Sequence, residues 1–178
     1  MQIFPTSEIE LTPETIAAIG GIQQALRTVN IGVEVVDKAP RGGDTLVLGT
    51  FTPSDDLAEF TDPFDIEVNE GDGTIIVKKF GEIKVTGNGL LLFEQSKTGN
   101  TLTLLSDTQE NLISLLTTLG SGSLSGCVLQ DNIAVCGVGY GGTSGETTEG
   151  TPKAEPTSGE STPAPENATP EPAVTPLG

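Results

Sequence analysis

Two cysteines, Cys127 and Cys136, are the side chains of this 178-residue chain whose type and spacing point to a definite covalent reaction. They bracket the segment VLQDNIAV. Asp131-Asn132 fits the tip of a two-residue hairpin, because both residues tolerate the positive φ of a type I′ turn. Gln130 then faces Ile133, Leu129 faces Ala134, Val128 faces Val135 and Cys127 faces Cys136. Pairs alternate along an antiparallel ladder, so the cysteines fall on a non-hydrogen-bonded position. There the Cα atoms lie about 4.5 Å apart, within reach of a disulfide. The competing reading is two small buried thiols in a reducing compartment. Direct opposition, with no other cysteine in the chain, favours the bridge and an oxidising compartment. The closed loop is short, so the cross-link is expected to contribute about 2–3 kcal/mol.

Other candidates for chemistry are weaker. The acidic run Asp55, Asp56, Glu59, Asp62, Asp65, Glu67, Glu70 and Asp72 offers oxygen ligands of the kind calcium takes. It has no EF-hand spacing, and strand alternation would point neighbouring carboxylates apart, so it reads as a solvated acidic face. Paired carboxylates for glycoside hydrolysis would need a cleft walled by aromatics, and aromatics make up only 4% of the chain. Lys97–Thr101 (KTGNT) reads as a hairpin turn, since a phosphate-cradling loop leads into a helix. GVGYGG, residues 137–142, has no following helix and does not fit a dinucleotide fingerprint. There is no histidine, which removes Ser-His-Asp and Cys-His catalysis. No catalytic, cofactor-binding or metal-ligating residue is therefore assigned; the site residues are the disulfide pair Cys127 and Cys136.

The net charge of -17 argues against nucleic acid, because no Lys/Arg cluster exists to displace counterions from phosphates. No run of about 18 apolar residues is long enough to span a bilayer. The start, MQIFPTSEIELT, lacks the basic and apolar regions of a signal peptide. If the protein works outside the cytoplasm, the sequence is then a fragment or lacks its export signal.

The elements that would position these residues follow from pattern. The spacing predicts a helix from Pro13 to about Val29, capped by Thr12, with Ile16, Ile19, Ile22, Leu26 and Val29 as its buried stripe. Gly20-Gly21 inside it either lets the helix approach the sheet or merely weakens it. Strands are expected at Gln2–Phe4, Gly32–Val36, Thr45–Gly49, Phe64–Val68, Leu90–Glu94 and Thr101–Leu105. A short helical turn follows Pro53. A hairpin joins Thr74–Lys78 to Glu82–Val85, and Asn88-Gly89 reads as a turn. A second long helix, Asp107–Leu119, is expected to start at a Ser106/Gln109 capping box, to bury Leu112, Ile113, Leu116 and Leu119, and to stop at Gly120. With so few aromatics the core should be aliphatic. After Tyr140 the composition turns to Pro, Thr, Ser, Glu and Gly, too polar to offset chain entropy. The division is a folded domain over 1–140 and a disordered tail or linker over 141–178, which contains a glycosylation acceptor at Asn167.

The order of segments resembles a known family. LVLGT after GVEVV, then GLLLF, TLTLLS and TQENLISLLTTLGSGSL before a final hairpin, is similar to the flavodoxin-like domain of the periplasmic regulatory subunit of bacterial cellulose synthase. The resemblance implies an α/β fold: a flavodoxin-like sheet with flanking helices and a C-terminal β-hairpin, without flavin. It further implies a non-catalytic extracytoplasmic accessory module of an envelope or exopolysaccharide system. Its partner would be a membrane glycosyltransferase or a polysaccharide, with membrane association only through segments outside this sequence. The alternative is a ligand-sensing or structural spacer domain of a cell-surface protein.

Overall fold

A computed structural model describes residues 1–69, 72–78, 80–124 and 126–138. The expected tail from 141 onward, with Asn167, lies outside the described residues, as do Glu70 and the last four positions of the GVGYGG run. The chain order is β1 (Gln2–Pro5), α1 (Pro13–Thr28), β2 (Glu34–Val35), β3 (Thr45–Thr50), α2 (Asp55–Thr61) running into a 3₁₀ turn (Asp62–Phe64), β4 (Ile66–Asn69), β5 (Thr74–Val77), β6 (Gly81–Lys84), β7 (Asn88–Gln95), β8 (Asn100–Ser106), α3 (Gln109–Gly120), β9 (Cys127–Gln130) and β10 (Ile133–Gly137).

Seven strands form one mixed sheet in the order β2-β1-β3-β8-β7-β10-β9. β2, β1, β3 and β8 are parallel to their neighbours in that group. β7 runs antiparallel to β8 and β10, and β10 antiparallel to β9. The hairpin expected at Thr74–Val85 is present as β5 and β6, and β4 adds a third antiparallel strand to it.

Strand alternation divides the core. Ile3, Leu46, Leu48, Leu91 and Leu104 pack with Ile19 and Ile22 of α1 and with Leu112, Leu115 and Leu116 of α3. Their chain neighbours Phe4, Val47, Leu90, Leu92 and Leu105 point the other way, onto Leu57 and Phe60 of α2, Phe64, and Ile75 and Val77 of the small sheet. The result is an α/β molecule of three layers, with the large sheet in the middle. The aliphatic expectation holds on the α1/α3 face. The opposite cluster gathers Phe4, Phe51, Phe60 and Phe64, and the rings of Phe4 and Phe60 are 6.1 Å apart.

Several local expectations are corrected. In α1, Thr12 caps as predicted, accepting from the Thr15 amide at 3.3 Å. The buried stripe, however, is Thr15, Ile19 and Ile22. Ile16, about 100° round the axis from Thr15, is 56% exposed, and Val29 at the C-cap is 62% exposed. Of the helix glycines it is Gly120, between α1 and α3, that is needed, not Gly20 or Gly21. A Cβ on Gly120 would come within 3.2 Å of Ile22 Cδ1, whereas Gly20 and Gly21 face open space. β2 is shorter than the strand expected at Gly32–Val36 and is exposed. Asn88-Gly89 is not a turn but the start of β7, paired with Ser106 at Gly89. A Cβ there would approach Leu115 Cδ2 to 3.0 Å, so the glycine makes room for α3.

The start of α3 moves as well. Ser106 is fully buried as the last residue of β8, paired with Thr50 and Gly89. Its place in the ladder takes it out of the cap, and Thr108 caps instead, accepting from the Asn111 amide at 3.2 Å. Leu112, Leu115 and Leu116 form the buried face and Ile113 is only half-buried. Gly120 remains helical; the chain reverses at Gly122, with φ 71.

Leu104→Ala, at a fully buried site, should cost about 2–5 kcal/mol. Ile16→Ala should stay within about 0.5 kcal/mol. Denaturant unfolding of the two variants measures both; equal losses would show that the stripe on α1 has been placed wrongly.

Candidate functional site

β9 and β10 pair in the predicted register, with Gln130 opposite Ile133 and Cys127 opposite Cys136. The two cysteines form a disulfide, with their Cα atoms 4.0 Å apart. Asp131 at the tip has φ 51, but Asn132 does not take a positive φ, so the tip is not the expected type I′ turn although the register is as predicted. Cys136 is buried and Cys127 half-buried against the α1/α3 core. The disulfide belongs to the edge of the sheet: among the described residues β9 has no strand beyond it.

In open α/β sheets ligands bind beyond the carboxyl ends of the parallel strands, where helix N-termini present free amides. Here the chain's own side chains cap two of the three helix starts; at the third, α2 after β3, Ser54 makes no side-chain cap and its buried Oγ has no hydrogen-bond partner among the described residues. Thr12 and Thr108 cap α1 and α3. The Asp107 carboxylate accepts from the Thr108 amide at 3.0 Å, from Asn111 Nδ2 at 2.7 Å and from the Gly87 amide at 3.0 Å. Gln109, expected to complete a capping box, reaches across to the segment before α1. Its Nε2 donates to the Glu10 carbonyl at 2.7 Å and to Thr15 Oγ1 at 2.9 Å, and its Oε1 accepts from the Glu10 amide at 3.0 Å. This polar knot ties together the starts of the two long helices. It was missed in sequence because a glutamine in the first turn of a helix fits a local cap as well as a long-range bridge.

The acidic run does not converge. Asp55, Asp56 and Glu59 lie on α2, Asp62 opens the 3₁₀ turn, and Glu67 is on β4. Asp65 accepts from Lys78 Nζ at 2.7 Å, with both side chains more than half exposed. The hydrogen bond to Asp65, and then its charge, raise the Lys78 pKa. The pair's contribution is therefore present below the ordinary lysine range and fades as pH rises through the raised value; exposed pairs of this kind contribute little. Asp72 accepts from Asn69 Nδ2 at 3.1 Å. Among the described residues no three acidic or cysteine side chains stand close enough to hold a metal ion. Lys97, Thr98 and Gly99 lie in the hairpin turn between β7 and β8, and Asn100 and Thr101 open β8.

The opposite end of the sheet carries an open apolar cleft of about 330 Å³, lined by Ile22, Leu26, Phe93, Leu102 and Leu119, among others. Phe93 shares a face with Leu91 by strand alternation but lies beyond the cover of α3, and is 44% exposed. That alternation was visible in sequence; the missing cover was not. The cleft opens between the last turns of α1 and α3, the negative ends of two helix dipoles. At its rim the Asp44 carboxylate accepts from the Asn100 amide and Nδ2, both at 3.0 Å. These surroundings suit a neutral or cationic apolar group better than an anion. Among the described residues no helix is long and apolar enough to cross a membrane.

No family model and no curated protein sequence matches the chain. Among the solved structures it resembles, that of CpGH84D aligns with a TM-score of 0.44 at 11% identity, over 77% of this chain and 20% of that one. The chain thus spans about a fifth of that protein's length, and a likeness at this score carries no argument about fold or activity.

Two measurements check these geometries. Gln109→Ala should lower stability by about 0.5–1.5 kcal/mol, because it removes two exposed hydrogen bonds to Glu10 and one to buried Thr15; a neutral result in chemical denaturation would show that the knot is idle. Alkylation of unfolded, unreduced protein purified from an oxidising compartment should find no free thiol; two free thiols would remove the bridge.

Proposed function

We propose that the chain is a non-catalytic extracytoplasmic accessory module of an envelope or exopolysaccharide system of the cellulose-synthase kind. The observation that carries the compartment is the Cys127–Cys136 disulfide, since such bonds persist where thiols are not kept reduced. A flavodoxin-like relationship is supported by the order of the parallel group, β2-β1-β3-β8. Numbered along the chain, that group reads 2-1-3-4, the start of the flavodoxin-like order. The remainder departs from it, with β7 inserted antiparallel and no helix between β2 and β3. A role without catalysis is supported by the absence of histidine and by the capping of α1 and α3 by Thr12 and Thr108. The partner in this reading is a membrane glycosyltransferase or its polysaccharide product.

A ligand-sensing domain is the second reading, favoured by the apolar cleft at Phe93 and Leu119. Deleting the gene in its native host separates the two. The accessory reading predicts a loss of surface polysaccharide of at least severalfold, restored by the intact chain. Unchanged polymer would contradict it.

A further inference from the structure

We propose that the Cys127–Cys136 disulfide is a redox-sensitive latch that holds β9 as a detachable strap over the β10 edge of the sheet, and that a dithiol reductant releases the strap while the rest of the sheet stays folded. Among the described residues β9 is the last strand of the sheet, and its lateral neighbour is β10. Val128 is 41% exposed, Leu129 68%, and Gln130 is also exposed. Cys127 is the one β9 side chain that packs on the core. The hydrophobic effect therefore does little to retain β9, and its hold rests on four paired positions and the cross-link.

β10 does not depend on β9 in the same way. Ile133, Ala134 and Cys136 are buried, and β10 pairs with β7 from Ile133↔Leu92 to Gly137↔Asn88. Loss of the strap would leave β10 in place with one edge bare. That edge carries Ile133, Ala134, Val135 and Cys136, with no charge and no proline of the sort that usually protects an exposed strand.

The release is a two-electron exchange. A reductant thiolate attacks Cys127 Sγ, the half-buried sulfur, to give a mixed disulfide. The Sγ–Sγ bond breaks and Cys136 leaves as a thiolate, which takes up a proton. The second reductant thiol then closes on the first, expelling Cys127 as a thiolate that is also protonated. The dithiol is oxidised to a disulfide and the protein gains two thiols. With the cysteines nine positions apart in sequence, loss of the cross-link should raise the opening equilibrium of β9 on the order of 100-fold, from the loop entropy returned to the open state.

Amide hydrogen exchange on the full chain tests this with oxidised protein, the same protein in dithiothreitol, and the double variant Cys127→Ser/Cys136→Ser. The expected result is exchange on the order of 100-fold faster at Cys127–Gln130 in the reduced protein and in the variant, with α1, α3, β3 and β8 unchanged. Unchanged exchange at β9 would overturn the latch. So would acceleration throughout the molecule, which would make the disulfide a global staple.

Discussion

β8 has to be covered on both faces at once. Leu104 and Leu105 are adjacent in sequence, almost fully buried, and project into different clusters. Burying a leucine side chain stabilises by about 1.5–3 kcal/mol relative to exposure, so leaving either layer off would forfeit several such contributions along β3, β7 and β8. The α1/α3 layer and the layer of α2 with the small sheet are consequently two halves of one core.

That requirement decides where the molecule is closed and where it is open. The ends of β1, β3 and β8 from which α1 and α3 depart are closed by polar contacts: Gln109 to Glu10 and Thr15, and Asp107 to Gly87 and Asn111. At the other end the two helices finish before the sheet does, leaving Phe93 and Leu119 around an apolar cleft. The third special place is the β9 edge, held covalently where packing is thin. A functional account of the chain has the cleft, the edge, the exposed acidic surface and the uncapped start of α2 to draw on, since at α1 and α3 the chain's own side chains cap the helix starts where open α/β sheets usually bind ligands.

Much of this was legible in sequence because short-range periodicity matched long-range placement. TLVLG, GLLLF and TLTLL are apolar at nearly every position and became the strands covered on both faces. The cysteine register could be counted outward from Asp131-Asn132. The errors arose where two local signals competed and tertiary pairing chose between them. Ser106 is a good cap and a good strand end, and pairing with Thr50 and Gly89 made it a strand end. Asn88-Gly89 is a good turn, but the close approach of Leu115 put the glycine inside a strand. Ile16 and Val29 are apolar yet exposed, because among the described residues no further helix covers the outer side of α1. The long-range bridge of Gln109 had no local signature at all.

Differential scanning calorimetry of the oxidised chain tests most directly whether the two apolar layers are one core sharing β3, β7 and β8. Sharing predicts a single transition for the described domain, with calorimetric and van't Hoff enthalpies in agreement. Two resolved transitions, or a calorimetric enthalpy well above the van't Hoff value, would contradict it by showing that one layer melts while the other stays folded.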